Sequence, residues 1–376
     1  MHIRYLTAGE SHGKALVSII EGIPNGLRLD TGLIDRELKK RMKGYGRGKR
    51  MLIENDKAEI LSGTRKGKTL GSPIAILIKN KDYRIEALSA ITSPRPGHAD
   101  LAGVLKFEET DIRNILERAS ARETASRVAT GAIARILLGN FGIEILSHVT
   151  AIGGVKAEGE KLSFKGIKGT LEKSPVRCRD LRASRLMCRE IDKAKARGDT
   201  LGGVFEVVAC GVPVGLGSYT QWDKRLDAAL ARAVMSIPGV KGVEVGSGFC
   251  AACEPGSRVH DEILFNGKLK KFSRRTNNAG GIEGGISNGE NIVLRAAMKP
   301  IATLSKPLAS VNIKSKKTTK AAVERADVCV VPSAGVIAEA VLAIEIACAF
   351  TEKFGGDSLP EMKRNYEGYI KRLRKR

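Results

Sequence analysis

The sequence predicts an α+β fold in which antiparallel β-sheets flank a layer of helices. Strand-like runs at 59–62 and 74–78 are joined by a short turn-rich segment, and short turns favour hairpins over the long crossovers of a parallel sheet. A long helical pattern at 124–138 leads directly into a strand-like run at 143–149. Strands and helices of this kind are typical of sheets packed on helices.

Two segments resemble each other at a spacing of about half the chain. Residues 13–27 align without gaps with 202–216, and each ends in Gly-[Ile/Val]-Pro-x-Gly-Leu, where Gly and Pro favour a turn. A helical pattern follows each segment, at 33–42 and at 222–235. Such turns also recur by chance, so the repeat stays one interpretation, an internal duplication, beside coincidence.

A duplication of this kind predicts a single domain rather than two independent ones. No stretch with the composition of a linker divides the chain. We therefore expect a single domain over 1–352, with similar halves of about 1–190 and 191–352 that share a core. A basic C-terminal tail, 353–376, would follow it.

Composition is that of a soluble globular protein of a reducing compartment. Residues are 42% hydrophobic and 28% charged, and the most apolar stretch, 334–350, is interrupted by Glu339 and Glu345, which predicts a buried helix. The seven cysteines are an odd number without framework spacing, as expected of free thiols in a cytoplasm. Cys250 and Cys253 lack a second ligand pair, so no metal site is expected.

A net charge of +23 predicts an anionic partner. Nucleic acid, an acidic membrane and a multiply charged small molecule would all satisfy it. Aromatic residues make up only 4%, which argues against a surface that stacks single-stranded nucleic acid. Charge alone leaves the class of partner open.

Two of the five histidines lie in unusual surroundings. His12 lies between glycines in Gly9-Glu-Ser-His-Gly13, and His98 lies in the rigid run Arg95-Pro-Gly-His-Ala-Asp100. Histidine in such loops suits proton transfer near neutral pH. A surface or capping histidine is the alternative for either one taken alone.

Arginines and glycines supply a candidate site for an anion and a flat ligand. Arg118-Ala-Ser-Ala-Arg122 opens a helical pattern, where backbone N–H groups and guanidinium groups can bind an anion, although a salt-bridged helix face is the alternative. Arg41 and Arg47 lie in a glycine-rich basic loop that could close over an anion or simply be solvated. Five glycines within 280–289 favour tight turns or backbone packed on a flat ligand.

One short segment of the sequence is similar to a phosphate-binding loop. Gly63-Thr-Arg-Lys-Gly-Lys-Thr69 is one residue short of Gly-x-x-x-x-Gly-Lys-Thr, and its pattern predicts a hairpin turn instead. There is also no Gly-x-Gly-x-x-Gly after a strand, so neither nucleotide hydrolysis nor a Rossmann cofactor site is expected.

Taken together, these motifs resemble the chorismate synthase family. Gly-Glu-Ser-His-Gly, Arg-Pro-Gly-His-Ala-Asp, Arg-x-Ser-Ala-Arg-Glu-Thr and Ala-Gly-Gly-Ile-x-Gly-Gly-Ile-Ser-x-Gly followed by Lys-Pro occur in family order, and the match covers roughly 3–350. The resemblance implies a lyase that forms chorismate from 5-enolpyruvylshikimate 3-phosphate by anti-1,4-elimination of phosphate. This is the last step of the shikimate pathway to aromatic amino acids.

The resemblance also implies a cofactor, an assembly and a location. The cofactor would be reduced FMN, needed but not consumed, with NADPH as a candidate reductant. The protein would be a cytoplasmic homotetramer that binds neither nucleic acid nor membrane, with helices sandwiched between antiparallel sheets.

By motif position, the resemblance assigns twenty site residues. His12 would be the acid near the leaving phosphate, His98 would protonate the reduced flavin, and Asp327 would assist removal of the substrate proton. FMN would be lined by Arg118, Ala119, Ser120, Pro238, Gly239, Gly284, Lys299, Pro300, Ile301, Ala302, Thr303 and Arg325. The substrate would be held by Ser11, Arg41, Arg47, Arg95 and Arg122.

Some alternatives stay open. Arg41 and Arg47 could contact NADPH, although the absence of a nucleotide-binding motif favours the substrate. This chain has Ala326-Asp-Val-Cys329 and Pro238-Gly239 where many members differ, so only backbone contacts carry over at 238–239. A basic RNA-binding protein and a flavin-dependent oxidoreductase are the rival functions, separable by salt-dependent RNA affinity and by net turnover of a reductant.

Overall fold

A computed structural model describes residues 2–48, 53–158, 163–268, 270–324 and 327–375. Its strands are Arg4–Ala8 (β1), Ala15–Glu21 (β2), Glu59–Ile60 (β3), Thr64–Arg65 (β4), Lys68–Thr69 (β5), Ile74–Lys79 (β6), Glu144–Ile152 (β7), Val155–Lys156 (β8), Gly203–Cys210 (β9), Val240–Val245 (β10), Ile263–Asn266 (β11), Lys271–Arg274 (β12), Ile282–Glu283 (β13), Ile286–Ser287 (β14), Ile292–Met298 (β15), Ala309–Val311 (β16) and Thr318–Lys320 (β17). Its α-helices are Thr31–Met42 (α1), Asp100–Phe107 (α2), Arg113–Ala119 (α3), Thr124–Gly139 (α4), Phe164–Leu171 (α5), Leu181–Arg197 (α6), Leu226–Met235 (α7), Gly256–Val259 (α8), Val331–Phe354 (α9) and Leu359–Leu373 (α10).

Two antiparallel sheets enclose the central helices. The first sheet has the order β1-β2-β6-β3 and the second the order β10-β15-β9-β7-β8. Helix α4 packs on β2 and β6 of the first sheet, α9 packs on β7 and β9 of the second, and the two helices pack on each other. The predicted α+β arrangement of helices between antiparallel sheets is confirmed.

The same order of elements occurs twice. The set β1, β2, α1, β3, β6, α4 is matched by β7, β9, α7, β10, β15, α9, and the matched strands hold the same places in the two sheets. The second set begins at Glu144, well before the predicted boundary near 190, because β8, α5 and α6 are inserted between β7 and β9.

The turns that first indicated the repeat have matching backbones. Gly22 and Gly211, which follow β2 and β9, have φ of 81° and 80°, and Gly26 and Gly215 have φ of 86° and 94°. Glycine adopts this left-handed conformation without the steric cost that a Cβ brings. These matched turns support the internal duplication, which remains our interpretation.

Helix α9 is the core of the fold. Pro332 lies in its first turn, where its missing N–H needs no partner, and apolar residues then continue on all sides of the helix. By length and composition the helix could cross a membrane, but 83% of its most apolar part is buried inside the fold. The predicted buried helix is confirmed.

Two basic segments of the chain form regular structure. Residues 63–69 form the β4–β5 hairpin, as predicted, with Lys66 and Gly67 at positive φ in its turn. The segment predicted as a basic tail contains the end of α9 and all of α10, whose Leu359 and Met362 are buried in the core.

The contact between α4 and α9 requires a glycine at position 131. A Cβ on Gly131 would lie 2.5 Å from Ala340 Cβ and 2.6 Å from the Ala340 carbonyl oxygen. The two backbones therefore approach more closely than any side chain at 131 would allow.

We expect Gly131→Ala to lower the free energy of unfolding by about 1–3 kcal/mol, because overpacking outweighs the better helix propensity of alanine. Gly139→Ala in the same helix is the control, since a Cβ at that position would meet nothing within 4 Å. Urea unfolding of both variants checks this, and a Gly131→Ala protein as stable as wild type would contradict the packing argument.

Candidate active site

A cavity of about 460 Å³ lies where the N-terminal ends of α4 and α9 meet the C-terminal end of α1. Most of the residues predicted from the motifs line it. These are Ser11, His12, Arg41, Arg47, Arg95, His98, Ala119, Ser120, Arg122, Pro238, Gly239, Lys299, Pro300, Ile301, Ala302, Thr303 and Asp327. Segments far apart in the sequence therefore converge on one site.

Two of the predicted residues that the structure describes are not among those that line the cavity. The Arg118 guanidinium turns to the first sheet and donates to the carbonyl oxygens of Thr7 and Gly9, at 2.8 and 2.9 Å. Gly284 lies in the β13–β14 turn near the start of α7, whereas Gly239 and the cavity lie past its other end. Arg325 lies outside the described residues. Their assigned contacts with FMN stay predictions.

His12 is held in place from two sides. The Asn80 side-chain amide donates to the carbonyl oxygens of Glu10 and Gly13, at 3.1 and 2.8 Å, and so fixes the loop that carries His12. The ring Nδ1 lies 2.9 Å from a carboxylate oxygen of Glu117, and Nε2 lies 3.7 Å from a carboxylate oxygen of Asp82. The imidazole thus lies between two carboxylates at the cavity wall.

Glu117 remains ionised although it is buried. Burial alone would raise the pKa of its carboxyl group, but the hydrogen bonds from His12 and the nearby charge of Arg113 together outweigh it and leave the pKa below its usual range. An ionised carboxylate can only accept hydrogen bonds. Glu117 is therefore a fixed negative charge behind His12.

His98 belongs to a second group built on a carboxylate. Asp100 is fully buried and accepts from the Arg95 guanidinium at 2.8 and 2.9 Å and from the His98 ring Nδ1 at 2.5 Å. Burial would raise the pKa of Asp100, but hydrogen bonds from His98 and Arg95 lower it far below its usual range. Arg95 also donates to Thr303 at 2.9 Å, which ties this loop to 299–303.

A buried carboxylate also binds the arginines at the base of the cavity. Asp56 accepts from Arg122 at 2.6 and 2.8 Å and lies 3.5 Å from Arg41. Burial, opposed by Asp56, lowers the pKa of Arg41 to about 10, with Arg122 and Arg47 adding to the decrease. Arg41 still carries its charge at neutral pH, and Asp56 together with Glu54, whose carboxylate lies 3.6 Å from Arg122, supplies the compensating negative charge.

Asp327 is positioned by the basic loop after α1. Its carboxylate lies 3.0 Å from the Arg47 guanidinium and accepts from the backbone N–H of Gly48. This pair closes one side of the cavity, because it joins the loop after α1 to the segment before α9.

The lining is strongly cationic. Its charged side chains are Arg41, Arg47, Arg84, Arg95, Arg122 and Lys299, against the carboxylates of Glu324 and Asp327. The N-terminal ends of α4 and α9 add positive dipole ends. The site can therefore bind a small molecule with several negative charges.

The cavity also has a large apolar wall. Leu116, Ile237, Met298, Val330 and Ile337 line it together with backbone at 238–239 and 300–302. Its volume lies within the range of small-molecule and cofactor sites, about 300–1,000 Å³. An apolar wall beside a cationic one fits a flat ring system that carries a phosphate.

Sequence reasoning missed the carboxylates that position the site. Asp100 and Glu117 lie inside or beside the recognised motifs and could have been noticed there, since a carboxylate commonly orients a functional histidine or arginine. Asp56, Asn80 and Asp82 lie in stretches without a pattern, and only the fold brings them to the cavity.

Comparison with known proteins agrees with these observations. The family model described as chorismate synthase matches residues 3–351. The chain is 53% identical to the chorismate synthase of Geobacter sulfurreducens and 54% identical to that of Desulforudis audaxviator, over 99% of this chain and 99% and 98% of those proteins. A crystal structure of chorismate synthase superimposes with a TM-score of 0.83 at 43% identity and covers 100% of this chain and 99% of that one.

Its motifs, its fold and its full-length relatives therefore agree that this chain belongs to the chorismate synthase family.

Proposed function

We propose that this protein eliminates phosphate from 5-enolpyruvylshikimate 3-phosphate to give chorismate, as a lyase of aromatic amino acid biosynthesis. The observation that carries the proposal is one cavity that combines a surplus of cationic side chains with two carboxylate-held histidines. The substrate bears one phosphate and two carboxylates, so it carries about three to four negative charges near neutral pH.

The apolar wall suits reduced FMN as the cofactor. Ala119, Ser120, Pro238, Gly239 and the segment 299–303 would hold it, and Lys299 is fixed by a hydrogen bond to the Gly97 carbonyl oxygen. The proton to be removed sits on an allylic carbon with no adjacent carbonyl group, so a general base alone is poorly suited to the task. When bound, reduced FMN supplies electron density as the C–O bond breaks and recovers it afterwards.

Side chains of the protein would donate and remove the protons of the reaction. His12 would donate a proton from Nε2 to the leaving phosphate, because Nδ1 is engaged by Glu117. Asp327, held by Arg47 and Gly48, would assist removal of the ring proton. Asp100 accepts from Nδ1 of His98, so Nε2 of that ring would carry the proton that His98 gives to the cofactor.

We also propose a cytoplasmic homotetramer. An apolar outer face on the first sheet supports self-association: Leu6 faces Ile19 across β1 and β2, and their side chains are 70% and 46% exposed. The matching outer face of the second sheet is partly covered by α5, whose Ile167 packs on Leu146. Exposed apolar sheet faces of this kind commonly mark protein interfaces.

The direct test is an anaerobic assay of the wild-type protein. Substrate with chemically reduced FMN should give chorismate and one phosphate per chorismate, whereas oxidised FMN alone should give neither. Formation of chorismate with oxidised FMN and NADPH would mean that the protein also reduces FMN with NADPH. No product under any of these conditions would refute the proposed activity.

We expect His12→Ala and His98→Ala each to lower kcat by about 10²–10⁴-fold, the usual contribution of general acid–base catalysis. Substrate and FMN binding should survive, since the arginines remain. His260→Ala is the control, because His260 is exposed and does not line the cavity. Wild-type kcat in either test variant would remove that histidine from the mechanism.

A substitution of Arg47 distinguishes a substrate contact from an NADPH contact. With pre-reduced FMN and no NADPH, Arg47→Gln should raise KM for the substrate by about ten- to a hundredfold, the value of one charged hydrogen bond. Arg185→Gln, on the exposed side of α6, is the control. An unchanged KM, with only NADPH-dependent flavin reduction impaired, would assign Arg47 to NADPH instead.

For the assembly, light scattering should give about four times the 40.4 kDa mass of one chain. Ile19→Glu should lower the mass, because it places a charge on the apolar sheet face. Leu186→Glu, 40% exposed on α6, should not. A tetramer unaffected by Ile19→Glu would exclude the sheet face as an interface.

A further inference from the structure

Glu117 makes an unusual set of contacts with the loop that carries His12. One carboxylate oxygen accepts from the His12 backbone N–H at 2.7 Å, and the other lies 2.9 Å from the ring Nδ1 of the same residue. The Glu117 carbonyl oxygen also accepts from the Ser11 N–H at 2.9 Å. A single residue of α3 thereby fixes both the backbone and the ring of His12.

This double attachment dictates which ring nitrogen carries a proton. Because ionised Glu117 can only accept, Nδ1 of His12 must be the donor in their hydrogen bond. Neutral His12 is then the Nδ1–H tautomer, and Nε2 is the nitrogen on the side of Asp82. A second proton on the ring can be placed only at Nε2.

The charges around the ring come from two elements. Helix α3 contributes Glu117 and, 3.7 Å behind it, the Arg113 guanidinium, which also pairs with Glu324 at 3.0 Å. The loop after β6 contributes Asp82, which pairs with Arg84 at 2.9 Å. Glu117 is the carboxylate nearest the ring, and the contact with Asp82 is longer than a hydrogen bond.

We propose that Glu117 is a positioning residue that holds His12 as the Nδ1–H tautomer and stabilises its protonated ring, so that Nε2 can donate a proton to the leaving phosphate. Proton donation to the phosphate rests on the proposed function. The tautomer and the orientation of the ring do not, because they follow from contacts within the protein alone.

The test compares Glu117→Gln, which removes the charge at nearly constant size, with Glu117→Asp, which keeps it. The first readout is the ¹⁵N NMR spectrum of the imidazole rings in the protein without ligands, with the His12 signals assigned by their loss in His12→Ala. Wild type should show the Nδ1–H tautomer, and Glu117→Gln should lose that preference. Glu123→Gln is the matched control, a buried carboxylate in the short 3-10 turn before α4 that pairs with Arg127.

The second readout is the dependence of kcat on pH. A general acid loses activity as pH rises, and a nearby negative charge keeps it protonated to higher pH. Glu117→Gln should therefore move the alkaline midpoint down by about one pH unit or more and lower kcat about 10–100-fold, with KM little changed. Glu117→Asp should keep the midpoint close to that of wild type.

The outcomes separate this proposal from the proposed function. A Glu117→Gln protein that is folded and keeps both the tautomer and the pH midpoint would overturn the positioning role. A lost tautomer preference with wild-type kcat would uphold the positioning role and count against proton donation by His12. If Glu117→Gln does not fold, Glu117→Asp decides, since loss of the tautomer there despite the retained charge would contradict the proposal.

Discussion

The close packing of α4 against α9 is the constraint on which the rest of the structure depends. At Gly131 and Ala340 the two backbones nearly touch, and the buried carboxylate of Glu339 pairs with Arg135 of α4 and accepts from Ser147 of β7. Burial would raise the pKa of Glu339, but Arg177 and Arg135 lower it, so the carboxylate remains a charged bridge. Because both helices begin at the cavity, their contact fixes the distance between the motif that precedes α4 and Asp327 before α9.

The site follows one electrostatic rule, in which buried carboxylates hold the cations and rings that line the cavity. Asp56 holds Arg122, Asp100 holds Arg95 and His98, and Glu117 holds His12. Each of these carboxylates orients the cationic side chain or imidazole ring that it binds. Guanidinium groups fixed in this way lose little further freedom when an anion binds, so affinity gains from preorganisation.

Much of the fold and of the candidate site could be predicted from sequence, and the failures have physical reasons. The long, uninterrupted apolar period at 124–138 predicts helix α4, which the structure has at Thr124–Gly139. Local patterns do not reveal that β8, α5 and α6 are inserted between neighbouring strands of one sheet, and the extent of the two similar halves stays a prediction. The role of Asp56 could not be predicted, because it depends on a contact with Arg122 across 66 positions of the chain.

The central claim is that cofactor and substrate share the cavity at the N-terminal ends of α4 and α9. Its most direct test is a spectral titration of the wild-type protein with oxidised FMN, repeated with saturating 5-enolpyruvylshikimate 3-phosphate. We predict one FMN bound per chain, with a flavin spectrum that changes again when the substrate is added, because the two ligands would lie in contact. A bound-flavin spectrum that does not change when the substrate is added, or no binding of FMN at all, would contradict the account.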